Sequence, residues 1–482
     1  MSLPRLQPFI GGAWEAGTGA PIACHNPWDW SLIGTVPGAS AEDGERAIDR
    51  ARRAQPAWGA ALPAERAAVL RRIGDGIEAN AARISAVQTM DTGKTRAETR
   101  ALALSAAGTF RYFAALAETA EDAITPRRGP STTFSVHEPI GVTAAITPWN
   151  SPIASDAQKL APALAAGNAV LLKPASWAPL TALLLAEIAA AAGLPPGLLS
   201  VLPGAGGEIG SLLVDHPAIG RVAFTGGTTT GRRLAAQAAA KLMPISLELG
   251  GKSPVAVFAD ADLDRAVAGV LFGIFSSSGQ SCIAGSRLFV EDAIYPVFRD
   301  RLVTATKRLV TGDPTDPATR VGPLIHPDHH ADVTRHLARA RADGGTVLCG
   351  GPGEGRLFYP AIVEGLANDA ALCRAEVFGP VLSLLPFRDE ADVIAQGNDN
   401  AYGLAAGIWT RDFDRAWRVA RAWRAGTVWI NTYKQFSIAT PFGADGASGQ
   451  GREKGPEGLR VWQRQKGIYA DLTGQPIPWG MA

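Results

Sequence analysis

The chain is poor in cysteine. Four stand in 482 residues (Cys24, Cys282, Cys349 and Cys373), with no CxxC pair and no zinc-like spacing. That excludes a disulfide framework and a cysteine-built zinc site, and it suits a reducing, cytoplasmic compartment. Seven histidines include one adjacent pair, His329-His330. No partner ligands cluster around the pair, so it reads as a solvated helix start and no metal is expected. Neither sign of charge dominates: 46 Lys and Arg stand against 45 Asp and Glu, a net charge of +1. No long-range field therefore draws nucleic acid or an anionic membrane to the protein. No apolar run reaches transmembrane length; the Ala-rich stretch 180–192 is too short and contains Glu187. Residues 1–12 carry no apolar core of signal-peptide length, so no leader is expected there.

What is present is an ordinary globular balance, 46% hydrophobic and 19% charged, over a length that calls for two or three domains. Short apolar runs broken by glycines in 1–38 predict surface β-hairpins. Helices are predicted from the Ser40 cap, over 64–80 and over 95–120. An alternating patch at 133–137, bounded by prolines, reads as an extended excursion. From Ile140 apolar strands alternate with helices. Strands are predicted at 142–147, 169–172, 200–202, 221–224 and 245–247, with helices at 155–166, 179–192, 208–214 and 229–240. This alternation predicts a parallel sheet covered on both faces, with its strand ends on one rim. A second α/β run begins at 253–258, and strands are predicted at 286–290, 346–348, 381–386, 405–409 and 427–430.

Cys282 lies in Gly279-Gln-Ser-Cys282, a loop of small residues after an apolar helical run at 266–275. Little bulk shields its thiol, yet by itself it is equally a silent buried cysteine. Other segments carry similar ambiguity. Glu248 ends a predicted strand before two glycines, where a carboxylate meets a ligand or merely caps a helix. Asn150 follows Pro148 in a stiff turn that can fix an amide donor, or form an Asx-turn. Phe224-Thr-Gly-Gly-Thr228 and the turn holding Gly206 and Gly210 suit a phosphate at a helix start, or are plain strand–helix turns. Lys173 ends another strand on the same rim, and Glu376-Val-Phe-Gly-Pro380 sets a carboxylate and a ring beside a rigid corner.

Read jointly, Thr147-Pro-Trp-Asn150, Lys173-Pro174, Phe224-Thr-Gly-Gly-Thr228, Glu248-Leu-Gly-Gly-Lys252, Gly279-Gln-Ser-Cys282, Glu376-Val-Phe-Gly-Pro380, Tyr402-Gly-Leu404 and Pro441-Phe-Gly443 resemble the aldehyde dehydrogenase superfamily, in its non-acylating, NAD(P)-dependent branch. Their order and spacing run unbroken from about Pro8 to Leu472. The resemblance implies an α/β fold with two Rossmann-type parallel-sheet domains and a small β oligomerisation arm. It divides the chain into 1–124 with 140–248 for the dinucleotide, 249–442 for catalysis, and 125–139 with 443–482 for the arm and C-terminal tail. It implies Cys282 as nucleophile, Asn150 as oxyanion donor, Glu248 as general base and Lys159 near the proton path. The implied cofactor contacts are Thr147, Trp149, Lys173, Ser176, Gly206, Gly210, Phe224, Gly226, Thr228, Glu376 and Phe378. The implied substrate pocket includes Ile283, Tyr433, Lys434 and Phe436.

The expected partner is a small aldehyde, and a homodimer or homotetramer is expected. Strict NAD users in this family often carry a glutamate where this chain has Ser176, so NADP is expected to serve as well as NAD. The family usually has a lysine where Gly446 stands. The apolar pocket residues suit an aryl or medium aliphatic aldehyde. Lys434 either greets a substrate carboxylate or is a surface lysine without a role. A CoA-acylating semialdehyde dehydrogenase, a cysteine esterase and a non-enzymatic structural protein on the same fold are the alternatives. Glu248 opposes the first. The paired glycine turns and Phe378 oppose the second. The joint presence of Cys282, Glu248 and Asn150 opposes the third.

Overall fold

A computed structural model describes residues 2–127, 129, 131–474 and 479. Strands Val142–Ile146 and Ala169–Lys173 are buried at every position. Continuous burial is what a strand covered on both faces requires, and it explains their unbroken apolar sequence. Together with Leu199–Val201, Ile219–Thr225 and Ile245–Glu248 they form a five-stranded parallel core. Phe9–Ile10 and Ala13–Trp14 extend this sheet on one side, and Gly449–Gln450 closes the other by pairing antiparallel with Ile245–Glu248. The register aligns Ile146 with Lys173 and Phe224, and Thr225 with Glu248. Four segments singled out by sequence thus reach the same rim.

The second sheet has seven strands, in the order Thr346–Pro352, Phe358–Glu364, Val381–Phe387, Arg287–Glu291, Pro254–Val257, Ala405–Trp409 and Thr427–Ile430. All neighbours are parallel except the first pair. Helix Leu263–Phe275 starts at an Asp262 cap, buries Val267, Val270 and Ile274, and ends where the Cys282 loop begins. Helix Ala41–Ala60 begins in a capping box formed by Ser40 and Asp43, and Arg96–Thr119 in another formed by Thr95 and Glu98. A three-stranded antiparallel sheet stands apart, with Ser131–Pro139 between Ala123–Ile124 and Gln463–Asp471.

Helix Ala81–Thr92 and strand Phe358–Glu364 were not predicted. The region expected as a helix over 208–214 is a π turn, Gly206–Gly210, running into the short helix Ser211–Asp215. Gly446 has φ +62°, and a Cβ there would come within 2.7 Å of the Ala401 carbonyl oxygen. Glycine suits that backbone and a lysine would strain it.

Candidate active site

A crevice of about 460 Å³ opens along the rim of the first sheet. Thr147, Trp149, Asn150, Lys173, Gly206, Gly210, Phe224, Gly226, Glu248, Cys282, Glu376 and Phe378 all line it. Twelve of the fifteen residues proposed above for catalysis or cofactor contact therefore converge, from segments spread over more than 230 positions. Helix Thr228–Ala240 and the Gly206–Gly210 turn both begin at its wall. A Cβ added at Gly206 or Gly227 would meet nothing within 4 Å, so open space lies above two stretches of backbone N–H. Such a cradle fits a phosphate, and the flanking Phe224, Leu234 and Leu249 fit an apolar ring. The residues present thus suit a dinucleotide.

Three of those residues lie off the crevice. Ser176 is turned away, and its hydroxyl donates to the Gly204 carbonyl at 3.1 Å. Thr228 is the first residue of its helix, and its Oγ1 is buried without a partner among the described residues. Lys159 lies behind the wall, where Nζ donates to Thr225 Oγ1 at 2.7 Å and Glu453 Oε1 at 2.5 Å.

At the crevice's inner end the reactive groups meet. The Asn150 side-chain amide donates one proton to the Gln280 carbonyl at 3.0 Å, which ties it to the Cys282 loop and leaves its second proton free. A Cβ at Gly251 would lie 2.3 Å from the Cys282 carbonyl oxygen, so glycine permits the strand end after Glu248 to press against that loop. Ser277, Ser278 and Gly279 all take positive φ on the approach to Cys282. Held strain of this kind gathers at functional sites. It is fixed here by Glu98, whose carboxylate accepts from the Ser277 N–H at 2.6 Å, and by Ser278 Oγ donating to the Gly322 carbonyl at 2.8 Å.

Electrostatics set the resting state. Burial, with Glu376 and Glu248 nearby, pushes the Cys282 thiol up to about 12, and Lys434 opposes this. The resting sulfur is a thiol. Burial first, then Glu453, holds Glu248 well above the ordinary carboxylate range, while Lys159 pulls the other way. Neither Glu248 oxygen has a hydrogen-bond partner among the described residues. A buried, unpartnered carboxyl with a raised pKa is what a general base needs near neutrality. Glu376 accepts from the Gly251 N–H at 3.0 Å, and burial lifts its carboxyl to about 7. Burial drives Lys173 down to about 8.

The structure corrects the reading of His329. It is buried rather than solvated, its Nε2 bonds the Phe378 carbonyl at 2.8 Å, and its ring packs edge-on to Trp149 at 5.5 Å. It lines the crevice and braces Phe378, whose φ is +55°. Lys434 is half-buried, and Nζ donates to Ser276 Oγ at 2.8 Å, so it is no idle surface lysine. Ile283 and Tyr433 are corrected too. Both belong to the core of the second sheet; Tyr433 packs over Gly273 and Gly407 and donates to the Ile283 carbonyl at 3.0 Å. They support the Cys282 loop from inside, while Phe436 is exposed. Sequence reasoning missed Glu453 and Arg233. Glu453 follows the Gly449–Gln450 edge strand back to Lys159. Arg233 sits one turn into helix Thr228–Ala240, a place that carries no motif.

A half-buried thiol at the end of a crevice that suits a dinucleotide, with an amide and a carboxyl beside it, defines an oxidoreductase that works through a cysteine. The chain belongs to the aldehyde dehydrogenase family, which matches residues 14–468. Among solved structures it is similar to an aldehyde dehydrogenase from Brucella melitensis biovar abortus 2308, at 38% identity, 97% of this chain, 98% of the other and a TM-score of 0.95. It is similar also to an NADP-dependent enzyme from E. coli, at 39% identity, 97% and 98% coverage and a TM-score of 0.96. A betaine aldehyde dehydrogenase from Staphylococcus aureus in complex with NAD+ matches at 34% identity, 99% and 97% coverage and a TM-score of 0.97. No described helix is long and apolar enough to cross a membrane.

Proposed function

We propose that this protein oxidises an aldehyde to a carboxylic acid with NAD or NADP, through a thiohemiacetal and then a thioester on Cys282. The convergence of Cys282, Asn150 and Glu248 at the inner end of one crevice carries the reading. Thr147, Trp149, Lys173, Gly206, Gly210, Phe224, Gly226, Glu376 and Phe378 would hold the cofactor, and Thr228 would contribute through its backbone at the helix start. When bound, the nicotinamide supplies the hydride acceptor. The Cys282 thiol releases its proton to solvent water once the site is filled, and the sulfur then adds to the aldehyde carbon. The Asn150 amide and the Cys282 N–H hold the resulting oxyanion. Glu248 takes a proton from the water that hydrolyses the thioester, and Lys159, Thr225 and Glu453 form the chain through which that proton leaves. Glu248 favours hydrolysis over transfer to CoA, which needs no such base. The testing experiment follows reduced nicotinamide with an aldehyde panel, with and without CoA, and identifies the product. A free acid formed without CoA supports the reading, whereas a CoA thioester or no reduction contradicts it.

Asn150→Ala is expected to lower kcat by about 10²–10³-fold, the effect of losing one oxyanion donor. KM should change little, because the charge it meets develops only after substrate binds. An unchanged kcat in stopped-flow hydride transfer would remove Asn150 from that role.

Cofactor choice rests on two residues. Ser176 places no carboxylate near a ribose 2′-phosphate, and Arg233 is an exposed cation lining the crevice with no ion pair among the described residues. NADP should therefore turn over, and Arg233→Ala should raise KM for NADP more than for NAD. Steady-state kinetics with both cofactors check this, and no turnover with NADP contradicts it.

The division into 1–124 with 140–248, 249–442, and 125–139 with 443–482 is supported by the separate sheets, except that residues 449–453 serve the site. The exposed edge strand Gln463–Asp471, with Ile468 and Tyr469 uncovered, supports a homodimer or homotetramer. Four unpaired cysteines support a cytoplasmic location.

A further inference from the structure

The wall beside Cys282 that does not line the dinucleotide crevice is unusually cationic. Lys434 and Lys94 stand there, and neither belongs to the crevice lining. Lys94 is only 4% exposed, yet its ammonium has no hydrogen bond or ion pair among the described residues. The titratable groups close enough to act on it are Glu98, Cys282 and Lys434. Lys434 spends one N–H on Ser276 Oγ, and Ser276 passes its own proton to the Phe272 carbonyl at 2.6 Å, so two Lys434 donors remain. Its backbone is held at φ +54°, which points to a side chain kept in place at a cost.

The local balance is uneven. Glu98 is the nearby anion, and both its oxygens are committed, Oε1 to the Ser277 N–H and Oε2 to the Thr95 N–H and hydroxyl. Burial holds both lysines below the ordinary ammonium range, and with Glu98 already committed the pair lacks an anion that would hold both as ammonium. Buried cations are retained only where something pairs with them.

We propose that the aldehyde bears a carboxylate at its far end, and that Lys434 and Lys94 receive it. The inference rests on the dehydrogenase reading and names its substrate class. A substrate carboxylate would supply the anion that the pair lacks. Burial, with Lys94 adding to it, pushes Lys434 down to about 7, and a bound anion restores its ammonium form. Phe272, exposed at this face, flanks Lys434, whose Nζ lies 5.9 Å from the Phe272 ring centre. The same charges exclude a cationic aldehyde by like-charge repulsion.

The test is a matched series in which each ω-oxo carboxylate is compared with the unsubstituted alkanal of the same chain length, for wild type, Lys434→Gln and Lys94→Gln. Wild type should prefer the best carboxylated aldehyde by about 10- to 100-fold in kcat/KM, the range for a hydrogen bond to a charged group. Each variant should reduce that preference by about 10-fold, through KM for the carboxylated partner. Dicarboxylates lacking the aldehyde should compete with substrate in wild type, a readout that needs no variant to fold. Equal kcat/KM for both series in wild type, or a preference unchanged in both variants, overturns the anion seat while alkanal turnover leaves the dehydrogenase reading standing. No reduced nicotinamide from any aldehyde overturns both.

Discussion

Cys282→Ala is expected to lower kcat for aldehyde oxidation by about 10⁴-fold or more, the scale seen when a covalent nucleophile is removed. Cofactor binding should survive, because most of the contacts proposed for it come from the other sheet's rim. Quenching of Trp149 and Trp177 fluorescence on adding NAD reads that binding separately. Residual activity above one part in a hundred would mean that the thiol is not the nucleophile. The size follows from the chemistry. Without sulfur, hydride would have to leave a bare aldehyde or its hydrate. The other three cysteines cannot substitute, since Cys24 and Cys373 are buried in the cores and Cys349 lies on strand Thr346–Pro352. The resting thiol at about 12 also implies that sulfur is activated only once the site is filled.

Glu248→Gln should separate the two halves of the reaction. Hydride transfer should still occur once per site, giving a burst of reduced cofactor close to one equivalent. Turnover should then fall by about 10²–10⁴-fold, as removal of a general base does. In wild type the thioester step should slow as pH falls through the raised folded-state pKa of Glu248, because the protonated carboxyl takes no proton from water. Burst and steady state measured together by stopped-flow absorbance check this. A variant that loses its burst along with its turnover would place Glu248 in the first step instead.

Much of this was open to reading in the chain itself, for physical reasons that differ from element to element. Strand 405–409 was predicted where Ala405–Trp409 stands, because a parallel strand buried on both faces leaves an unbroken apolar run, and the β-rich run at the half-buried edge strand Thr427–Ile430 was legible too. Helix Ala81–Thr92 escaped notice since it buries Ser85, Gln88, Thr89 and Asp91 as well as apolar residues, so no amphipathic stripe marks it. Strand Phe358–Glu364 contains Pro360 and follows a glycine-rich turn, both of which read as loop. Site residues held in turn motifs were legible because the motif is local. Glu453 was not, since it meets Lys159 across 294 positions. His329 looked solvated because helix Pro327–Ala342 is polar in sequence, and only the packing of Trp149 and Phe378 buries it. Ile283 and Tyr433 show the converse, for adjacency to a reactive residue does not decide which way a neighbour points.

Intact mass of Glu248→Gln, quenched after mixing with aldehyde and NAD, tests the central claim most directly. The account predicts one acyl group per chain, lost on treatment with hydroxylamine and mapped by digestion to the peptide holding Cys282. An unmodified chain after a full burst, or an acyl group on Cys24, Cys349 or Cys373, would contradict it.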